Sequence, residues 1–234
     1  MRGLLAGATG AVGRLLLPML VRAGHDVCAW SRSAPGLEQI RNQGAHAVQV
    51  DAFDREGVLA GVSGFRPDVV IHQLTALSAG SLQDNARIRR EGTRNLVDAA
   101  LAADVPHMVA QSIAWAYAPG TLPHAEDDAL DIHADEPRSI TVRGVAALEA
   151  AVLNSPPMKG TVLRYGQLYG PGTSRDGPTG SAPLHVDAAA HAALLAVAHG
   201  EAGIFNIAEP NAQVLTDKAI SKLGWRDDMR LPAA

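Results

Sequence analysis

Short apolar runs and amphipathic stretches alternate along almost the whole chain. Leu4–Ala6 is apolar, and a glycine-rich turn separates it from Arg14–Ala23, where Leu15, Leu16, Met19 and Leu20 share one helical face. Gly24 closes that helix as a left-handed cap would. The pattern then predicts strands at Asp26–Trp30 and Ala45–Val50, on either side of a helix over Leu37–Gln43 that Gly44 ends. Pro67 and Asp68 lead into Val69-Val70-Ile71-His72, an almost wholly apolar run suited to a parallel sheet covered on both faces. Next come a long helix from about Leu82 to Ala103, a strand at His107–Ala110, a helix over Ile140–Leu153 and a strand at Thr161–Arg164. The pattern ends with a helix over Asp187–Ala198 capped by Asp187, a strand at Ile204–Ile207, and a helix over Thr216–Leu223 capped by Thr216. This alternation predicts an α/β fold, a doubly wound parallel sheet. The irregular stretches Ala118–Pro137 and Gly170–Pro183 fall near carboxyl ends of strands, where such sheets bind ligands.

Composition narrows the class. At 234 residues the chain suits a single domain, 1–234, with 47% hydrophobic and 19% charged residues. A net charge of −4 gives no electrostatic reason to seek nucleic acid or an anionic membrane. The lone Cys28 excludes an intramolecular disulfide framework and a cysteine-based zinc site. No apolar run approaches a membrane span, and the opening Met1–Ala6 is too short for a signal peptide, so a soluble, cytoplasmic protein is expected. His124 and His133 lie in an acidic stretch with Glu126, Asp127, Asp128, Asp131, Asp135 and Glu136. That stretch reads as a charged, mobile lid rather than a metal site, and no metal is expected.

The chemistry starts at Gly7-Ala8-Thr9-Gly10-Ala11-Val12-Gly13. Three glycines at this spacing, after a strand and before an amphipathic helix, fit a dinucleotide fingerprint: they permit a tight turn, close approach to a pyrophosphate and helix–strand packing. The second strand ends in Trp30-Ser31-Arg32-Ser33, with no acid to accept the ribose hydroxyls of NAD. Arg32, with the hydroxyls of Ser31 and Ser33, suits a 2′-phosphate, and Arg14 is a candidate second cation, so NADPH is expected over NADH.

Taken together, these segments resemble the extended and atypical short-chain dehydrogenase/reductases, the epimerase/dehydratase-like branch. The likeness rests on Gly7–Gly13, Asp51, His72-Gln73-Leu74-Thr75, Gly92-Thr93-Arg94-Asn95-Leu96, Leu163–Gly172, His185-Val186-Asp187-Ala188-Ala189 and Gly203–Ile207, in that order. It implies a Rossmann-like sheet with a small C-terminal substrate lobe drawn from 165–234. It also implies that Asp51 and Ala52 flank the adenine, and that Leu74 and Thr75 line the pyrophosphate and ribose. The backbone of Tyr165, Gly166, Gln167 and Leu168 would meet the nicotinamide carboxamide, with Tyr165 and Tyr169 shaping that pocket.

Two departures stand out. Relatives use a Ser or Thr after the fifth strand and a Tyr and Lys four apart on the next helix; aligned on Leu148-Glu149-Ala150, those two positions hold Thr141 and Val145. Arg89 stands where relatives place an Asn, and only Thr173–Pro183 remains where sugar-nucleotide enzymes insert a substrate lobe. Ser112 and Thr141 are the remaining candidate catalytic hydroxyls, each equally explicable as a local structural group, and Tyr117 and Arg143 could reach the cleft. The expected function is NADPH-dependent reduction of a small organic carbonyl, the proton coming from water or the substrate. A similar arrangement is implied by likeness to simocyclinone-type ketoreductases, which tailor aromatic natural products in antibiotic biosynthesis. A non-catalytic NADP(H)-sensing regulator is the alternative, and a sugar-nucleotide epimerase or dehydratase ranks last. The chain is expected to act as a monomer or homodimer.

Overall fold

A computed structural model describes residues 1–76 and 81–232. Seven strands form one sheet: β1 (Arg2–Ala6), β2 (Asp26–Ser31), β3 (His46–Gln49), β4 (Val69–His72), β5 (His107–Ile113), β6 (Lys159–Tyr165) and, last in the chain, Gly203–Ile207. Two three-residue strands, β7 (Gln167–Tyr169) and β8 (Pro183–His185), pair separately, which makes Gly203–Ile207 β9. The main sheet runs β3-β2-β1-β4-β5-β6-β9, and every neighbouring pair is parallel. The order reverses between β1 and β4, which opens a crevice at their carboxyl ends.

The apolar strand runs have a direct cause, because successive residues feed opposite cores. Leu5, Val27, Ala29, Val69, Ile71 and Leu163 face one core. It is closed by α1 (Gly13–Arg22), α7 (Val186–His199) and α8 (Asp217–Leu223), with Leu16, Leu20 and Trp225 fully buried. Leu4, Cys28, Val70, Met108 and Val162 face the other. There α3 (Arg55–Phe65), α5 (Thr93–Ala102) and α6 (Arg138–Leu153) supply Val58, Val62, Leu96, Leu148 and Val152. Each fully buried leucine contributes roughly 1.5–3 kcal/mol by leaving water. Among the described residues no helix is long and apolar enough to cross a membrane.

Several boundaries differ from the sequence reading. The long helix is present as α4 (Leu82–Arg87) and α5, joined by a π-helical turn at Ile88–Gly92. The helix read at Leu37–Gln43 is α2 (Ala34–Asn42), which starts earlier because Ser33 caps it by accepting from the Gly36 N–H. Helix α3 escaped the periodicity altogether. Its three glycines (Gly57, Gly61, Gly64) weaken the helical signal, yet Asp54 caps it, and Gly61 leaves room for the Trp30 ring.

Asp187 is not the cap of α7. His185 takes that role through Nδ1, while the Asp187 carboxylate accepts from the Leu231 N–H and ties down the C-terminal segment. Of residues 165–234, β9, α7 and α8 belong to the main body, and β7, β8 and their loop pair separately beside it.

Two glycines test this packing against plain helix propensity. A Cβ at Gly13 would run into the Gly7 carbonyl oxygen, whereas one at exposed Gly64 would meet nothing within 4 Å. Gly13→Ala is expected to lower stability by about 1–3 kcal/mol, and Gly64→Ala to raise it by about 0.5–1 kcal/mol. Urea denaturation of the two variants measures both, and similar effects from both would refute the packing account.

Candidate active site

The first βα turn is shaped by close approach. Gly7 sits at φ +95°, and a Cβ there would lie 2.5 Å from the Gln73 carbonyl. Helix α1 begins with no side-chain cap; the Arg14 and Leu15 N–H groups donate to the Gly10 and Val12 carbonyls, so the amides that can face an anion are those of the turn just before them, Ala11 to Gly13. Thr9 and Gly10 are exposed, Ala11 is half-buried and Val12 is buried along this rim. Gln73 is buried just past β4, and neither its amide oxygen nor its nitrogen meets a partner of hydrogen-bonding geometry among the described residues. Leu74 packs against the α3/α5-side core and Thr75 is half-buried beside it.

At the end of β2, Ser31 Oγ accepts from the Ser33 N–H at 3.3 Å and Ser33 Oγ accepts from the Gly36 N–H, so both O–H groups remain free to donate. Arg32 is exposed. Asp51 is exposed and accepts from the Phe53 N–H in a local turn, and the Ala52 carbonyl is held by Asn95 Nδ2 at 2.8 Å. An uncapped helix start, a glycine cradle that a Cβ would fill and an orphaned amide at the strand-order reversal all fit a dinucleotide.

Six expected residues have other contacts among the described residues. Tyr165 does not shape a nicotinamide pocket, because it is buried in the core with its hydroxyl donating to the Ala189 carbonyl at 3.2 Å. Burial pushes that phenol well above its ordinary range. Tyr169 donates to Glu209 at 2.7 Å instead of facing the cleft, and the Gly166 and Gln167 amides donate to the carbonyls of Ile207 and Ala182. Leu168 lies in the β7–β8 pair. Arg14 turns to the Pro171 carbonyl.

Beside the crevice a buried polar network crosses the sheet. Glu149 on α6 receives Arg164 of β6 in a two-pronged contact at 2.9 and 2.6 Å, and also the Ser112 hydroxyl at 2.6 Å. Both charged side chains are almost inaccessible, at 3% and 6% exposure. Burial alone would lower the Arg164 pKa, but the Glu149 carboxylate outweighs it and holds the guanidinium above its ordinary range. Arg164 Nη1 also donates to Tyr117 Oη at 2.7 Å and to the Glu126 carbonyl, and Tyr117 donates to Asn206 at 2.7 Å.

Ser112 is therefore not a hydroxyl open to substrate, since its proton is committed to Glu149. Thr141 is 7% exposed and Val145 fully buried, and Glu149, the acid on that face of α6, has both oxygens bonded to Arg164 and Ser112. Arg143 donates to the Ile132 carbonyl. The Ala118–Pro137 stretch is not a loose lid either: His124 pairs with Asp128 at 2.7 Å, Arg138 with Asp131 at 2.7 Å, and the His124 backbone bonds to Gln213 and Leu215. Between this stretch and β7 lies a cavity of about 320 Å³, lined by Ala114, Trp115, Tyr117, Gln167, Ser181 and Val214.

The NAD dependent epimerase/dehydratase family model matches residues 4–202. The chain belongs to that family. A 3-diazoavenalumate denitrifying reductase from a Streptomyces species is 42% identical over 265 residues, covering all of this chain and 85% of the relative. The UDP-glucose 4-epimerase of Thermotoga maritima shares the fold at a TM-score of 0.82 and 19% identity, over 97% of this chain and 94% of that one. WbmH of Bordetella bronchiseptica, solved with NAD+, follows at 0.73 and 16%, over 91% and 77%. Family and relative together place the chain among NAD(P)-dependent oxidoreductases.

The network was missed from sequence although its signal was present: Glu149 interrupts the apolar face of a helix, and Arg164 an apolar strand. Glu149→Gln, which leaves Arg164 buried without a counter-charge, is expected to cost about 3–5 kcal/mol in urea denaturation, while Glu149→Leu/Arg164→Met together cost far less. A single variant no worse than the double would refute the pairing.

His72 supplies a pH test. It is fully buried, Nδ1 accepts from the Leu74 N–H, and Nε2 donates to Thr93 at 2.8 Å. Burial and the Arg89 cation depress its pKa from 6.5 to about 4. The unfolded chain takes up this proton first, so the stabilisation is full above pH 6.5 and is lost as pH falls towards 4, at up to about 1.4 kcal/mol per unit. Burial depresses His107 to about 4 as well, which adds a slope of the same sign, so urea denaturation from pH 7 to 4 should show the combined slope and His72→Gln should remove about half of it.

Proposed function

We propose that the chain is an NADPH-dependent reductase of an aromatic substrate that needs no proton from the protein, a diazo-bearing arene that loses dinitrogen. The observation that supports this reading is that, among the described residues, no acid stands free at the positions where relatives carry one: Thr141 and Val145 are buried on α6, Ser112 is bound to Glu149, and Tyr117 and His124 in the cavity wall are engaged with Asn206 and Asp128. When bound, the nicotinamide supplies a hydride. An aryl diazonium carbon accepts that hydride's electron pair in a new C–H bond, while the C–N pair leaves with N2, so atoms and charge balance without a proton. A ketone given the same hydride becomes an alkoxide that must be protonated. The diazo substrate named for the 42%-identical relative supports the first chemistry. The roughly 320 Å³ cavity beside Trp115 and Tyr117 offers aromatic walls for such a ring.

The aromatic-polyketide ketone reading rests on the same missing acid, with water or a substrate phenol donating the proton. Incubation with a diazotised hydroxyaryl acid and NADPH deuterated at C4 separates the two. The expected result is one N2 released per NADPH oxidised and deuterium at the carbon that carried nitrogen. Turnover of aromatic ketones with the diazo compound untouched would overturn the diazo reading. Thr141→Val should leave kcat within about threefold, whereas a hundredfold loss would identify an acid after all.

Residues at the end of β2 support NADPH as the carrier. Arg32 is exposed, and the free O–H groups of Ser31 and Ser33 can donate to a 2′-phosphate. Arg32→Ala should weaken NADPH binding by about tenfold or more and NADH binding less than twofold, as read by calorimetry. Equal losses would overturn the assignment.

A further inference from the structure

Arg89 lies in the π-helical turn behind the carboxyl ends of β4 and β5 and is only 6% exposed. Its Nη1 meets no acceptor among the described residues. A buried guanidinium without a partner is costly, and single π-turns concentrate where a side chain is held for a function. The surroundings do not neutralise it. Glu149 is the carboxylate whose charge reaches it, but both Glu149 oxygens are already bonded, to Arg164 and Ser112. His72, the other titratable group coupled to it, is neutral at physiological pH and has both ring nitrogens engaged. Burial lowers the Arg89 pKa only to about 10, so it remains a cation at neutral pH. Two buried guanidinium groups, Arg89 and Arg164, therefore share one buried carboxylate.

We infer that Arg89 is the substrate-recognition cation of this site, binding a carboxylate group carried by the aromatic substrate. A guanidinium fork matches a carboxylate in geometry as well as charge. A carboxylate arriving beside Arg89 satisfies the orphaned Nη1 and balances the local charge without disturbing the Glu149–Arg164 pair. The inference deepens the reductase reading and rests on it for the identity of the ligand as substrate.

Binding to the NADP+-loaded protein tests it without turnover. Calorimetric titration with 4-hydroxycinnamate and with its methyl ester should show the acid binding at least about tenfold more tightly. Arg89→Gln should level the two, Arg89→Lys should retain part of the preference, and NADP+ affinity should stay within twofold in both variants. Equal binding of acid and ester by the unaltered protein overturns the inference. So does a preference that survives Arg89→Gln, or a variant that loses NADP+. If Arg89→Gln fails to fold by circular dichroism, the unaltered protein and Arg89→Lys decide the matter. The titration involves no hydride transfer, so failure to release N2 from a diazo compound would refute the reductase reading and leave this result standing.

Discussion

The site depends on one buried ion pair. Glu149 and Arg164 lie out of reach of water, and each would destabilise the fold alone. Together they join α6 to β6, and their remaining bonding capacity fixes what lies around them. Ser112 is drawn to the carboxylate, Tyr117 to the guanidinium, and the Glu126 carbonyl brings the acidic loop onto the sheet. Cleft walls that sequence alone would leave as loop are therefore held by a charge pair in the interior.

That arrangement also constrains the chemistry. A hydroxyl donating to a carboxylate at 2.6 Å is a poor source of a proton for substrate, and the helix face that could supply another presents a buried threonine and a buried valine. The dinucleotide end has glycines where backbones nearly touch, a helix start without a side-chain cap and an exposed arginine at the end of β2.

Much of the fold was legible because parallel strands buried on both faces are apolar in their centres, as Val69–Ile71 and Val162–Leu163 are. Gly24 and Gly44 marked helix ends because positive φ, +80° and +83° here, demands glycine. Helix α3 was illegible because its three glycines dilute the helical pattern, and one of them, Gly61, is needed for a contact with Trp30 that the sequence does not show. At the site, Gly7–Gly13 could be placed from spacing alone. Ser112 could be placed but its role could not, since a free hydroxyl and one bonded to Glu149 look identical in a sequence. Tyr165 was misjudged for a related reason: it follows a strand motif near the cleft, but the alternation of the strand turns its ring into the core.

Local sequence determined the order of strands and helices, the glycine turn and the absence of a tyrosine–lysine couple, because these follow from side-chain periodicity, backbone freedom and residue identity. Only the tertiary structure decided which charges meet. Arg164 finds Glu149 fifteen residues away across a helix–strand interface, while Arg89 Nη1 meets no acceptor among the described residues although Arg89 is buried. Pairing in the interior is set by three-dimensional proximity and desolvation, and neither quantity is written in the spacing of residues along a chain.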